Sequence, residues 1–291
     1  MEHTYFMIDV ICYGALLPDQ VLALPRLPRA GEGIHTLHEQ MFLGGEPCNV
    51  GGHLARWGLH VVLAGNNLGD DPRATFVERE LRARPNTTYY SRRDPLMWTP
   101  TCYILTTPDG ERTIIASWPQ QPSFTLPPAE VVEQCRLVSV CNVGPAIDVM
   151  VDLAHSHGKP IVLADSADSS ELRMHGVAIL TTSRAMLANR YQLHDVQGWI
   201  DHTWQATRAL IVVSDGAHPL RVRTPDGRDL SAYPPAITPV DTTGAGDALK
   251  AGVMYGWLNG WPIEHTLDIA LKAASQVCLY PGPCPEVALE H

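Results

Sequence analysis

No stretch of this chain reaches the roughly 18 continuous apolar residues that a membrane span needs. The opening residues, MEHTYFMIDVICYG, carry acids where a secretory leader would be basic, and their short apolar stretch ends at Gly14 without a cleavage signal. Both absences point to a soluble, cytoplasmic protein with no membrane partner. Positive charge is also scarce: 21 Lys and Arg stand against 31 Asp and Glu, the formal net charge is -10, and the basic residues form no stripe. A nucleic-acid partner is not expected from such a balance. The spacing CxxC is absent. The seven cysteines (Cys12, Cys48, Cys102, Cys135, Cys141, Cys278 and Cys284) are odd in number and irregularly placed, which favours reduced thiols over a disulfide framework or a zinc site. Two nucleotide fingerprints are missing as well. After the first apolar run stands Tyr13-Gly14-Ala15-Leu16-Leu17-Pro18 in place of GxGxxG, which excludes a dinucleotide-binding dehydrogenase. GxxxxGK[ST] does not occur, and Lys250, near the later glycine loop, follows Asp247 on the wrong side for a P-loop.

What is present suits a large buried core. Hydrophobic residues make up 45% of 291, enough for a single α/β domain over residues 1–288, while Leu289, Glu290 and His291 read as the remnant of an expression tag. Short β-type runs are expected at Phe6 to Cys12, His60 to Leu63, Leu137 to Val140, Pro160 to Leu163, Val177 to Leu180 and Leu210 to Val213. Several are continuous apolar runs, as in a sheet covered on both faces. Helical patterns lie between them at Pro47 to Trp57, Pro72 to Ala83, Ala146 to His157, Ser183 to Arg190 and Ile200 to Arg208. This order gives an α/β fold with a doubly wound, mostly parallel sheet flanked by helices, whose ligands bind at the carboxyl ends of the strands. Two segments, about 16–42 and 89–118, break the rhythm and are rich in Pro, Thr and aromatics. They read as one small β-sheet with a hairpin turn at Pro108-Asp109-Gly110.

The most informative string is Asp241 to Gly252, DTTGAGDALKAG, a Gly/Thr turn running into a helix with Asp247 in its first turn. From Ala248 the apolar residues recur near a period of 3.6, and Gly260 with Pro262 supplies the stop. The amides of Gly244, Ala245 and Gly246 can approach an anion closely at the positive end of the helix dipole. A carboxylate beside such a site is repelled unless it serves as a proton acceptor. A helix cap after a flexible loop fits the same spacing. Near the other end of the chain, Gly44-Gly45-Glu46-Pro47-Cys48-Asn49-Val50 leads into a helix ending at Gly58. Asn49 offers donor and acceptor to a polyol, as Asp19 offers acceptor oxygens, although the motif alone favours a Gly-rich turn with an Asn helix cap. Asp70 and Asp71 before Pro72 read as helix caps.

The string DTTGAGDA with its small-residue helix resembles the C-terminal signature of the ribokinase-like sugar kinases, the phosphofructokinase B family, and nearly the whole chain follows that family's order of segments. The paired glycines with Asn49 match the family's first signature. The resemblance implies ATP-dependent phosphorylation of a hydroxyl on a sugar or nucleoside, with Asp247 as base and the Gly244 to Gly246 amides as anion hole. Asp19, Gly44, Gly45 and Asn49 would then contact substrate. Thr243, Ser214, Gly216 and Ser183 would face the nucleotide, and the small sheet would be a lid that often forms a homodimer contact.

Three departures stand out. Ser214-Asp215-Gly216-Ala217-His218-Pro219 ends in Pro where the family shows Gly. Many relatives carry Asn-x-x-Glu for Mg²⁺ where this chain reads Thr181 to Met186, which leaves Asp165, water and ATP oxygens to hold the metal, with Arg184 at the nucleotide phosphate or in solvent. Glu46 stands where relatives are often basic or small, which disfavours an anionic sugar phosphate. A monovalent cation such as K⁺, used by some relatives, would lie near Asp241 and Thr243, with the irregular turn after Val277 unassigned. A non-catalytic ligand-binding or regulatory relative with a degenerate metal site is the alternative, and ribose, fructose and its phosphates, ketodeoxy sugar acids and nucleosides all remain open as substrates.

Overall fold

The computed structural model describes residues 7–108, 112–141, 145–166 and 176–289. Chain order opens with β1 (Val10–Gly14), β2 (Leu17–Ala23), β3 (His38–Gly44), α1 (Glu46–Arg56), β4 (Val61–Asn66), α2 (Pro72–Ala83) and β5 (Thr87–Tyr90). It continues with β6 (Thr101–Thr106), β7 (Arg112–Ser117), β8 (Phe124–Thr125), α3 (Ala129–Gln134), β9 (Leu137–Cys141), α4 (Pro145–Ser156), β10 (Ile161–Ala164) and β11 (Val177–Ser183). The last elements are α5 (Arg184–Tyr191), α6 (Val196–Thr207), β12 (Leu210–Asp215), β13 (His218–Arg223), β14 (Asp229–Ala232), α7 (Ala245–Leu258) and α8 (Ile263–Val277).

The main sheet runs in the order β14-β13-β12-β11-β10-β9-β1-β4-β5, parallel from β12 through β5, with β13 and β14 antiparallel at one edge and β8 antiparallel on β4. Alternation along β1 explains the two-sided core. Val10 and Cys12 point into a cluster with Val50 and Leu54 of α1, Val77 of α2, Val253 of α7 and Leu267 of α8. Ile11 and Tyr13 point the other way, against Val132 of α3, Met150 of α4, Leu187 of α5 and Ile200 of α6. Successive side chains on a strand face opposite layers, so a strand covered on both sides reads as a continuous apolar run.

The small sheet has the order β3-β2-β6-β7, with β2 antiparallel to β3 and parallel to β6, and β6 antiparallel to β7. The two irregular segments thus join into one sheet. Of the expected hairpin turn, Asp109 and Gly110 lie outside the described residues, while the strands on either side pair from Thr101↔Ser117 to Thr106↔Arg112. Tyr89 and Tyr90 depart from expectation, because β5 pairs with β4 in the main sheet and buries part of Tyr89 against the core.

Other differences have local causes. The first strand is Val10–Gly14, later than Phe6 to Cys12, and Phe6 itself lies outside the described residues. Helix α6 begins at Val196 because the Asp195 carboxylate caps the Gly198 N–H at 3.0 Å, four residues ahead of Ile200. The run from Val177 continues as strand through Ser183, and α5 starts at Arg184. Pro219 does not lie in a loop but in β13, opposite the register shift between Val213 and Asp215, where its missing N–H breaks no regular ladder. Pro262 ends nothing: it is the N-cap of α8.

Candidate active site

Helix α7 starts at Ala245 because Gly244 takes a left-handed conformation (φ 80°), which turns the chain sharply out of the Thr242-Thr243 loop. No other residue fits there, since a Cβ would stand 1.8 Å from the Pro283 carbonyl oxygen. Gly246 differs. It is exposed, and a Cβ there would meet nothing within 4 Å, so the space over the first turn is open to a ligand. The Ala245 amide leans back to the Thr242 carbonyl at 3.4 Å. Asp241 braces the loop, its two carboxylate oxygens accepting the Thr243 N–H at 2.8 Å and the Gly282 N–H at 2.9 Å.

Helix α1 supplies the opposite wall. It enters through Gly44 and Gly45 directly after β3, and Asn49, one turn in, donates from Nδ2 to Asp247 Oδ2 at 2.8 Å. This bond joins two motifs 198 residues apart in sequence. Asn49 Oδ1 is buried with no partner, which leaves an acceptor facing the site. Asp19, on β2, is buried beside Gly44, where a Cβ would lie 2.1 Å from the Asp19 Cγ; glycine is what lets the carboxyl sit against the end of β3.

Electrostatics concentrate at the same point. Burial, then the charges of Glu46 and Asp165, raise the Asp247 carboxyl from 3.8 to about 8, against the Asn49 hydrogen bond and the nearby Lys250. Asp165, just past β10 in a left-handed conformation (φ 54°), is likewise raised by burial and by Glu46, while Lys250 and a 3.3 Å contact from the Thr182 hydroxyl oppose the rise. Burial lifts Asp19 to about 7. An ion pair lies beneath them. Lys250, one turn beyond Asp247 and 2% exposed, donates to Glu46 Oε1. Burial opposes charge on Lys250, yet Glu46 holds the ammonium above its usual range. Glu46 therefore does not project a free negative charge toward the substrate end; its charge is neutralised from within α7. The pattern Glu46 at the start of one helix and Lys250 in an apolar helix face was the available signal, since a lysine buried among Leu249, Ala251 and Val253 needs a partner.

The remaining predicted residues form a second patch at the ends of β11 and β12. Ser183 and Ser214 are register partners, the Ser214 hydroxyl lies 3.4 Å from the Thr182 carbonyl, and Gly216 occupies the exposed turn before β13. The Ser183 hydroxyl caps α5 by accepting the Met186 N–H at 3.0 Å, and Arg184 pairs with Asp215 at 3.1 Å. Asp71 caps α2 through the Ala74 N–H at 3.0 Å. No group of three or more His, Cys, Asp or Glu placed to hold a metal ion occurs among the described residues. No helix of the described residues is long and apolar enough to cross a membrane.

The small sheet reaches over this region. Arg112, the first residue of β7, donates to the Thr242 hydroxyl at 2.9 Å. Beneath that contact a cavity of about 280 Å³ opens between Gln40 and Phe42 of the small sheet and the Pro239 to Thr242 loop.

Asp165, Ser183 and Ser214 stand at the carboxyl ends of parallel strands and Asp247 at the α7 N-terminus, and a family model described as pfkB family carbohydrate kinase matches residues 7–288. The chain belongs to the pfkB family of carbohydrate kinases. The pfkB chain is 26% identical to a ribokinase of Bacillus subtilis over 283 residues, 94% of each chain. It is 25% identical to an acarbose 7(IV)-phosphotransferase of Actinoplanes over 295 residues, 97% of this chain and 94% of the relative. The structure of Arabidopsis thaliana ribokinase complexed with ribose and ATP shares the fold, with a TM-score of 0.79 at 21% identity over 95% of this chain and 94% of that one.

Proposed function

We propose that this pfkB kinase transfers the γ-phosphoryl group of ATP to a hydroxyl of a sugar or related polyol, with Asp247 as the general base. The reading is carried by the Asn49–Asp247 hydrogen bond, because it brings the polyol motif and the anion-binding helix start to one point. Asp247 accepts the proton of the attacking hydroxyl while Asn49 and Asp19 orient the substrate, and the amides at the α7 N-terminus face the developing charge. A carboxyl raised to about 8 exchanges its proton near physiological pH, as a base for an alcohol requires. Positioning supplies most of the acceleration in such a transfer, since phosphoryl transfer asks little covalent chemistry of the protein.

Thr243 and the Gly244–Gly246 turn would cradle the phosphates, and Ser183, Ser214 and Gly216 would lie along the nucleotide. The carboxylates fit a hard cation: Glu46 and Asp165 add negative charge beside Asp247, and Glu46 adds it beside Asp165, against Lys250 and, at Asp165, Arg190. Asp165, with water and phosphate oxygens, would hold Mg²⁺, which would supply positive charge against the transferred phosphate. The small sheet serves as the lid, Arg112 fastening it to the phosphate loop and keeping water from the reacting group. Its edge strand β7 exposes Ile114 and Ile115, which supports a homodimer formed through the lid, to be checked by sedimentation. Neutralisation of Glu46 by Lys250 removes the objection to an anionic sugar, so the acceptor panel includes sugar phosphates.

The test is ATP consumption with a panel of pentoses, hexoses, sugar phosphates, sugar acids and nucleosides, with and without Mg²⁺. Substrate-dependent ADP release with a sugar or related polyol supports the reading; turnover with nucleosides alone, or with no acceptor on the panel, overturns it.

A further inference from the structure

We propose that Cys284 is a modification site, a thiolate nucleophile gathered behind α1 by Arg56, Arg84 and His53, which hydrogen peroxide oxidises to a sulfenic acid and thereby disturbs Asn49. The face of α1 that carries Asn49 also carries Gly52, His53 and Arg56, three, four and seven positions on, the spacing of one helical stripe. One end of the stripe meets Asp247. The other end meets Cys284: Arg56 Nη1 donates to the sulfur at 3.0 Å, and the same guanidinium donates to the Pro285 and Cys284 carbonyls, each at 3.2 Å.

Gly52 makes room for the cluster. A Cβ there would stand 2.3 Å from Arg84 Nη1 and 2.9 Å from the Cys284 sulfur, so the absent side chain lets a second guanidinium and the thiol lie over the helix together. Arg84 also donates to the Cys48 carbonyl. His53 is fully buried and turned toward the Cys284 sulfur, and neither ring nitrogen has a hydrogen-bond partner at normal geometry. Two guanidiniums and an imidazole without a hydrogen-bond partner meet in one half-buried place, and among the described residues no carboxylate pairs with either guanidinium. The groups facing the sulfur are His53, Arg56, Arg84, the Cys48 thiol and the Asn49 carbonyl, 3.5 Å away. A thiolate completes the charge balance that a neutral thiol leaves open.

The other six cysteines behave oppositely. Burial pushes Cys12, Cys48, Cys102, Cys135, Cys141 and Cys278 up. Burial works in the same direction at Cys284, but His53, Arg84 and Arg56 outweigh it and bring the thiol down to about 6. As a whole residue Cys284 is partly exposed, as Cys102 and Cys141 are.

In the oxidation a sulfur lone pair attacks one peroxide oxygen, the S–O bond forms as the O–O bond breaks, and hydroxide leaves and is protonated by water. Sulfur loses two electrons and the peroxide gains them. The neutral, larger sulfenic acid no longer balances Arg56, Arg84 and His53, and it crowds the turn of α1 that holds Asn49. This consequence for turnover rests on the kinase reading; the thiol chemistry does not.

Two measurements on the intact protein decide the matter. In the first, iodoacetamide labelling at each cysteine is followed by mass spectrometry as a function of pH. Cys284 should label at least about tenfold faster than Cys102 at pH 7, with half-maximal rate near pH 6, and Arg56→Gln should slow it. Labelling of Cys284 no faster than Cys102 overturns the proposal, whether or not the protein phosphorylates anything. In the second, peroxide should place a dimedone-reactive adduct on Cys284 and raise the sugar KM, reversibly with dithiothreitol, while Cys284→Ser, or Cys284→Ala should serine disturb folding, resists the loss. Equal peroxide sensitivity in wild type and both variants overturns the coupling to Asn49.

Discussion

Asp247→Asn replaces an acid whose charge the fold resists with an amide of nearly the same size. In the folded chain burial, then Glu46 and Asp165, raise the carboxyl from 3.8 to about 8. The folded state therefore holds this proton more tightly than the unfolded chain does. Stability from this group is full below about pH 4, falls as pH rises through the window between 3.8 and about 8, and levels off above it. At pH 7 about three units of that window have been crossed, and at about 1.36 kcal/mol per unit the wild type has lost roughly 4 kcal/mol. The asparagine carries none of this cost, and its carbonyl can still accept from Asn49 Nδ2 at the position Asp247 Oδ2 holds. Urea unfolding followed by circular dichroism at pH 5, 6, 7 and 8 reads the difference. The variant should be more stable than wild type by about 5 kcal/mol at pH 8, with the gap shrinking to about 1–2 kcal/mol at pH 5. A variant less stable than wild type at pH 8, or a gap that does not change with pH, would refute the burial of Asp247 beside Glu46 and Asp165.

Asn49→Ala should raise the sugar KM about tenfold and move the acid limb of the pH–kcat/KM profile upward, because the hydrogen bond that favours the Asp247 anion is gone; an unchanged KM removes Asn49 from the substrate site. Lys250→Met should cost about 3–5 kcal/mol by leaving Glu46 buried and unpaired, and adding Glu46→Gln should recover most of it; thermal unfolding of the single and double variants shows whether the pair is coupled. Gly246→Ala should fold within about 1 kcal/mol of wild type yet weaken nucleotide binding, since its Cβ meets open space where phosphate would lie, whereas Gly244→Ala should destabilise by about 2 kcal/mol or more through the Pro283 clash. Calorimetric titration with ATP and thermal melts on both variants separate the two roles, and wild-type nucleotide affinity in Gly246→Ala would contradict the cradle.

The parallel sheet was legible because its strands are covered on both sides: Leu137–Cys141 and Leu210–Asp215 read as apolar runs whatever their neighbours. Helix α2 was legible to the residue, since Asp71 and Pro72 mark its start chemically. Helix α8 was missed although Ile263, Leu267, Ala270, Leu271 and Ala274 carry the helical period; Gly260 and Pro262 stopped the reading, and proline suits a helix start as well as a helix end. β5 was assigned to the insertion because Thr87 to Tyr90 carries no signal of which sheet it joins; pairing with Val61 to Ala64 decides that at long range. At the site, the motifs singled out Asp247, Asn49 and Asp19, of which Asn49 and Asp247 meet, but not that Lys250 answers Glu46 or that Arg56, Arg84 and His53 converge on Cys284. Those groupings come from three-dimensional contacts between distant segments, Arg56 and Cys284 being 228 residues apart.

Phosphoryl transfer by wild type and Asp247→Asn, on the acceptor that the panel reveals and at pH 8 with saturating ATP, bears most directly on the base assigned here. With a base at the α7 N-terminus, kcat should fall about 10³-fold while ATP affinity, measured by calorimetry, stays within about twofold. A variant that keeps wild-type kcat would show that the proton leaves by another route, and the assignment of Asp247 would be wrong.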